Sequence, residues 1–135
     1  MDMAIEKALG KVPVTILRPH GRIDGSNYQE LVNQASQLYA SGTKFILIDL
    51  QDVSFLSSAG LVALHSIVLL MRGEKPTTGQ DGWDALNSID RDASGKQAQV
   101  KLLSPQAKVA NTLQMSGMDR FFDIFTDEAT ALASY

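Results

Sequence analysis

The stretch that most constrains this chain is KFILIDL, residues 44–50. It runs apolar without alternation and carries one charge near its end, a pattern that suits a strand covered on both faces rather than one facing water. Such a strand needs helices above and below it, which points to an α/β layer arrangement. Residues 12–17, VPVTIL, are rich in β-branched types and read as an earlier strand. A short apolar run at 3–8 can pair with it through a hairpin turn at Leu9, Gly10 and Lys11, where glycine takes a positive φ cheaply. Between the two main strands, residues 28–39 place Leu31, Ala35 and Leu38 at helical spacing. Asp24, Ser26 and Asn27 are good N-cap types before this helix, and Gly42 follows its end. Strand, helix and strand in that order predict a parallel crossover.

A second helix follows the serine pair of FLSSAGL, residues 55–61, with Gly60, Leu64, Ile67, Val68 and Met71 as its buried stripe. Residues 73–97 then hold four glycines, one proline and five acids against three bases. They read as an exposed excursion, longer than the usual connection of about 4–6 residues. WDALNSI, 83–89, is a candidate helical turn within it, with Trp83 as an anchor. QVKLL, 99–103, reads as a strand. Ser104 then caps a helix over 105–116, with Pro105 at its first position, Val109, Leu113 and Met115 as apolar candidates, and Gly117 beyond its end. FFDIF, 121–125, reads as a last strand and Thr126 as the cap of a final helix, with Asp127 and Glu128 in the first turn. The expected fold is a single α/β domain spanning 1–135, with a mixed sheet of about five strands, about four helices and an insertion at 73–97.

Composition narrows the function. The net charge of −3 and the sparse basic residues, such as Arg18 with Arg22, argue against nucleic acid. The absence of cysteine excludes disulfides and cysteine-based zinc sites. The N-terminus lacks the apolar core of a signal peptide, and the weakly polar run at 61–71 is shorter than the roughly 20 residues that span a bilayer. A cytoplasmic protein with no membrane contact is the expectation.

The serine pair invites three chemistries. A nucleophilic serine needs a base within about 2.6–3.2 Å. His65 is seven residues after Ser58, an axial offset of about 10 Å, and His20 lies at the end of an earlier strand. No GxSxG elbow or oxyanion partner is present, so hydrolysis is disfavoured and no enzyme activity is expected. His65 reads as a half-buried helix residue and His20 as a loop-edge residue. Neither phosphate-binding glycine motif is present, and Asp49 and Asp52, both explained by solvation, lack a third metal ligand. No cofactor or metal is assigned. Two readings stay open. Ser57 and Ser58 cap the helix, which is the more economical view and is worth about 1 kcal/mol. Alternatively one of them carries a phosphate, which the helix N-terminus tolerates and a docked partner does not.

The chain resembles the STAS domains of anti-sigma-factor antagonists. The likeness runs over VTILRPHGRID (14–24), FILIDLQDVSFLSSAGLVAL (45–64) and VKLLSPQAKVANTLQMSGMDRFFDIFTDEATAL (100–132). In that family the junction reads D-S-[ST]-G-L after an aromatic and an apolar residue. Phe55 and Leu56 match the lead-in, Gly60 and Leu61 the close, and Gly21 and Asp24 match the family's G-x-[LI]-D. Ser57 stands where aspartate is usual and Ala59 where serine or threonine is usual. The resemblance implies that Ser58 is the residue phosphorylated by a serine-kinase anti-sigma factor, which supplies ATP and magnesium. The unmodified domain binds that kinase and a phosphatase resets the switch. Asp24, Ser26, Asn27, Ser57, Ser58 and Ala59 are the implied partner-binding residues. The alternative within the same resemblance is an unphosphorylated scaffold or sensor module in a larger signalling assembly.

Overall fold

The computed structural model describes residues 1–74, 89 and 91–135. The central strand of its five-stranded sheet is β4 (Ile46–Asp49), as the unbroken apolar run requires, and all four of its residues are buried. On one side lie β2 (Pro13–Pro19) and then β1 (Met3–Leu9); on the other lie β6 (Val100–Leu103) and β7 (Ile124–Phe125). The hairpin pair β1–β2 is antiparallel and the other three pairs are parallel, so the sheet is mixed.

Alternation along the strands divides the core in two. Ile46 and Ile48 of β4, with Leu17, Val100 and Leu102, join the larger cluster, which includes Leu31, Val32 and Ala35 of α1 (Tyr28–Ala40). The same cluster takes in α2 (Ser58–Met71) and Val109 and Leu113 of α3 (Ala107–Ser116). Leu47, Val14, Ile16 and Leu103 face the other way, under Ala131 of the short α4 (Glu128–Ala133) and the ring of Tyr135. The hydroxyl of Tyr135 donates to the carbonyl of Ile46 at 2.5 Å. Burial pushes that phenol's pKa well up, outweighing a separate backbone hydrogen bond from Lys101 that favours its ionised form.

The structure adds a strand pair that the sequence reading did not contain and corrects several expectations. The β2 run breaks at His20, and Gly21–Ile23 form a separate β3 that leaves the main sheet to pair in parallel with β5 (Val53–Leu56). The α3 cap is Gln106 rather than Ser104, because Ser104 sits at φ 49° and cannot open a helix. Met115 of that helix is 81% exposed, leaving Val109 and Leu113 as its inner face. The last helix is capped by Asp127 instead of Thr126; its carboxylate accepts from the Thr130 N–H at 2.9 Å and hydroxyl at 2.7 Å. Those Thr130 hydrogen bonds hold the Asp127 pKa below the ordinary carboxylate value. FFDIF contributes strand only at Ile124–Phe125, since Phe121 closes a 3-10 turn (Met118–Phe121). The excursion's candidate turn and Trp83 lie outside the described residues, apart from Ile89.

Asp49, expected to be solvated, instead lies in an ion-pair cluster at the end of the central strand. Asp49 is buried and pairs with Arg18 at 2.6 Å, while the same guanidinium reaches Glu6 at 2.9 Å and Glu128 at 2.7 Å. Arg18 therefore ties β1, β2, β4 and α4 together, and these partners, Glu128 foremost, raise its pKa further.

Gly10 in the β1–β2 turn is required by a close approach rather than by a positive φ. A Cβ there would lie 2.6 Å from the backbone oxygen of Leu132. Gly10→Ala should cost about 1–3 kcal/mol by overpacking, read as a lower urea midpoint. Gly25→Ala, where a Cβ meets nothing within 4 Å, should stay within about 0.5 kcal/mol of the parent.

Candidate functional site

The chain turns at residues 51–52 after β4 and runs through β5 into α2. In parallel pairing Arg22 lies opposite Phe55 and Ile23 opposite Leu56. The Ser57 N–H donates to the Ile23 carbonyl at 3.0 Å. The β5–α2 junction and the loop after β3 are thus held side by side, as the sequence-based grouping of Asp24, Ser26 and Asn27 with Ser57, Ser58 and Ala59 expects.

The two serines do different work. Ser57 is the N-cap, with extended backbone and its Oγ accepting from the Gly60 N–H at 3.3 Å. Ser58 is the first residue of α2 and is exposed. Among the described residues its hydroxyl has no hydrogen-bond partner. The cap is Ser57 and the free hydroxyl is Ser58. Gly60 lies where a side chain has no room: a Cβ would meet the Leu56 side chain at 2.4 Å and the Ile23 carbonyl at 3.1 Å. Ala59 is half-buried between them.

The loop at 24–27 is internally bonded. Asp24 accepts from the Ser26 hydroxyl at 2.6 Å and N–H at 3.0 Å, which holds its carboxyl below the usual range, with Arg22 at 3.6 Å adding to the effect. Asn27 precedes α1 but does not cap it with its side chain. Its amide turns back, accepting from the Asp24 N–H at 3.0 Å and donating to the Arg22 carbonyl at 2.8 Å.

Three further residues stand at this rim that sequence reasoning did not single out as one group. The Arg22 guanidinium carbon is 4.4 Å from the centroid of the Phe55 ring, and the Lys108 ammonium is 5.3 Å from it. Phe55 had a signal, the aromatic lead-in to the junction. Arg22 and Lys108 had none, because α3 packs on β5 only in three dimensions.

His65 corrects its expectation. It is 2% exposed rather than half-buried, and its Nε2 faces Asp92 Oδ2 at 2.7 Å. A proton on Nε2 satisfies that contact and leaves Nδ1 a buried atom without a partner among the described residues. The histidine is thus committed to the chain returning from the excursion. His20, on the rim, lies 3.4 Å from Asp52. Burial would raise the Asp92 pKa, but hydrogen bonds from Ser94 and His65, with the charge of Arg72, outweigh it and hold the group well below the carboxylate range. Among the described residues no group of three potential ligands could hold a metal, and no helix is long and apolar enough to cross a membrane.

A family model described as the STAS domain matches residues 7–75, just over half of the 135-residue chain. Among solved structures, an anti-sigma factor antagonist from Mycobacterium paratuberculosis is 19% identical, with 98% of this chain and 92% of that one covered and a TM-score of 0.67. The anti-sigma factor antagonist SpoIIAA in its unphosphorylated form is 18% identical over 95% of this chain and 93% of its own, with a TM-score of 0.56. The Bacillus cell fate determinant SpoIIAA in its phosphorylated form is 14% identical over 96% of each chain, with a TM-score of 0.55. At these identities the likeness to solved structures establishes the fold. No curated protein matches the sequence.

Two outcomes test the site's construction. Ser57→Ala should cost about 1 kcal/mol in urea unfolding through the lost cap, and Ser58→Ala should stay within about 0.5 kcal/mol. Because the Asp92 pKa is depressed in the folded state, its contribution is complete above the unfolded value of about 3.9 and is lost as pH falls below it. Asp92→Asn should therefore flatten the acid limb of the stability–pH curve, measured by denaturation from neutral pH downward.

Proposed function

We propose that this chain, which belongs to the STAS domain family, is an anti-sigma factor antagonist: a regulatory module that binds a serine-kinase anti-sigma factor and is switched off by phosphorylation of Ser58. The observation that carries the reading is the division of labour at the junction. Ser57 holds the helix end, so Ser58 presents an exposed, unbonded hydroxyl on a rigid element.

In this reading the Ser58 oxygen attacks the γ-phosphorus of the kinase's ATP. ADP leaves, and the hydroxyl proton passes to a base on the kinase. The chain supplies only the acceptor. A phosphoserine carries about −1.5 to −2 charges near neutral pH. At the first position of α2 it lies against free backbone N–H groups, so the domain keeps its fold while the rim changes sign. Asp24, Ser26, Asn27, Ser57 and Ala59, brought to that rim by the β3–β5 pairing, form the contact surface with Ser58. A phosphatase resets the state. The existence of SpoIIAA in phosphorylated and unphosphorylated forms supports such a cycle in a protein of this fold. The reading places the protein in the cytoplasm, as a single domain over 1–135 with an insertion at 73–97, and without enzymatic activity of its own.

The kinase can be captured from lysate of the native host on the unmodified domain. Incubation with that kinase and ATP should label Ser58, mapped by mass spectrometry, and label elsewhere or nowhere would overturn the assignment. In direct binding measurements Ser58→Ala should retain kinase affinity. Ser58→Asp should weaken it by about tenfold or more, the effect expected when like charge enters a docked surface.

A further inference from the structure

We propose that Arg22 and Lys108, seated on the ring of Phe55, form a clasp that closes on a phosphate carried by Ser58. The proposal rests on the reading of Ser58 as the acceptor and adds the residues that receive the modified group.

The basic side chains of the sheet and its rim differ in what holds them. Arg18 is consumed by three carboxylates. His20 lies against Asp52. Lys101 is buried, donating to the carbonyl and hydroxyl of Ser134. Arg22 and Lys108 differ. Both are exposed, and the partner they share is an aromatic face. Arg22 has one carboxylate contact, the 3.6 Å approach to Asp24, whose oxygens are already engaged by Ser26. Among the described residues Lys108 has no carboxylate within ion-pair distance. A cation held over a ring keeps its N–H donors available, because the ring attracts the charge without taking directed hydrogen bonds from it.

Placement supplies the second part. Arg22 is paired with Phe55 in the β3–β5 register, and the next carbonyl along β3, that of Ile23, holds the Ser57 N–H. Lys108 stands in the first turn of α3, its ammonium 5.3 Å from the centroid of the same ring. Ser58 is three residues beyond Phe55, roughly 10 Å along an extended chain. The flexible stems of arginine and lysine and the added phosphoester close that gap from both ends. A dianion draws a guanidinium more strongly than a carboxylate already satisfied by Ser26, and arginine meets phosphate in bidentate geometry. Arg22 therefore transfers from Asp24 to the phosphate, and Lys108 swings off the ring to its other side. In a chain of net charge −3, this local pair lets the domain hold a phosphate it would otherwise repel.

The test installs phosphoserine at position 58 by genetic encoding, so it needs no kinase. The second ionisation of the phosphate is followed by phosphorus NMR in the full chain. With the clasp intact that pKa should lie about 0.5–1 unit below its value in the Arg22→Gln, Lys108→Gln double variant, the scale of one or two nearby cations. The difference should shrink at high salt. Lys108→Gln alone, a single exposed helix position, should give an intermediate value if the double variant folds poorly. Lys7→Gln, on β1, should leave the titration unchanged. Identical titrations with and without Arg22 and Lys108 overturn the clasp, as does an equal shift from Lys7→Gln. Failure of the kinase to label Ser58 would instead remove the acceptor reading while leaving this measurement intact.

Discussion

The site exists because β4 is covered on both faces. A strand with no solvent side has nowhere to place a polar residue except at its end, and the chain obeys: Ile46, Leu47 and Ile48 are fully buried and the first charge is Asp49. That charge is itself desolvated, so it needs a partner, and Arg18 supplies it from the neighbouring strand. Removing one member of a buried pair strands the other at a cost of about 3–5 kcal/mol. The Arg18–Asp49 contact is therefore a constraint on where β4 stops, and β4's end determines where the chain turns at 51–52 to begin β5. Every residue of the rim is placed downstream of that stop.

From β5 the constraint passes to α2. The helix is buried nearly all round, from Gly60 through Val68, so it cannot roll to re-aim its first turn. Gly60 lets it approach Leu56 and the Ile23 carbonyl more closely than any side chain would allow. Further along, His65 and Asp92 pin the returning chain to the same helix. The result is an exposed hydroxyl on an immobile support. A phosphate on a frayed helix end could be absorbed by local unfolding. One on α2, as proposed for Ser58, would have to be accommodated by the side chains around it, so the rim's electrostatics would decide what the modification does.

The layer order was legible in the sequence because burial on two faces leaves an unmistakable apolar run at 44–50, and because Leu31, Ala35, Gly42 and Gly117 mark helix faces and ends by local chemistry. The β3–β5 pair was not, since nothing in GRIDGSN says that the chain leaves the main sheet at His20; that depends on where β5 is. Caps show the same limit on a smaller scale. Ser104 and Thr126 have the right chemistry, but backbone angles and the reach of Asp127 to Thr130 decided otherwise. His65 looked half-exposed because the one residue that neutralises its burial, Asp92, is distant in sequence. The exposed hydroxyl of Ser58 could be read from the family-like junction. Which of the two serines caps could not, because either one could supply the oxygen.

The substitution at position 57 follows from this division. The family pattern that this chain resembles usually has aspartate there, and aspartate and serine are near-equal N-caps. Serine preserves the bond to the Gly60 N–H and removes a negative charge one residue from the proposed phosphate. Like charges at such spacing oppose each other even in high dielectric. With serine at 57, no acid adjoins Ser58 in the sequence, and in the proposed clasp Arg22 and Lys108 come to the phosphate from the adjoining strand and helix. In the proposed switch, serine at 57 would favour the phosphorylated form more than aspartate there would. The same residue leaves Asp24 as the one carboxylate among the proposed contact residues, so in the proposed complex a kinase would find its electrostatic complement there.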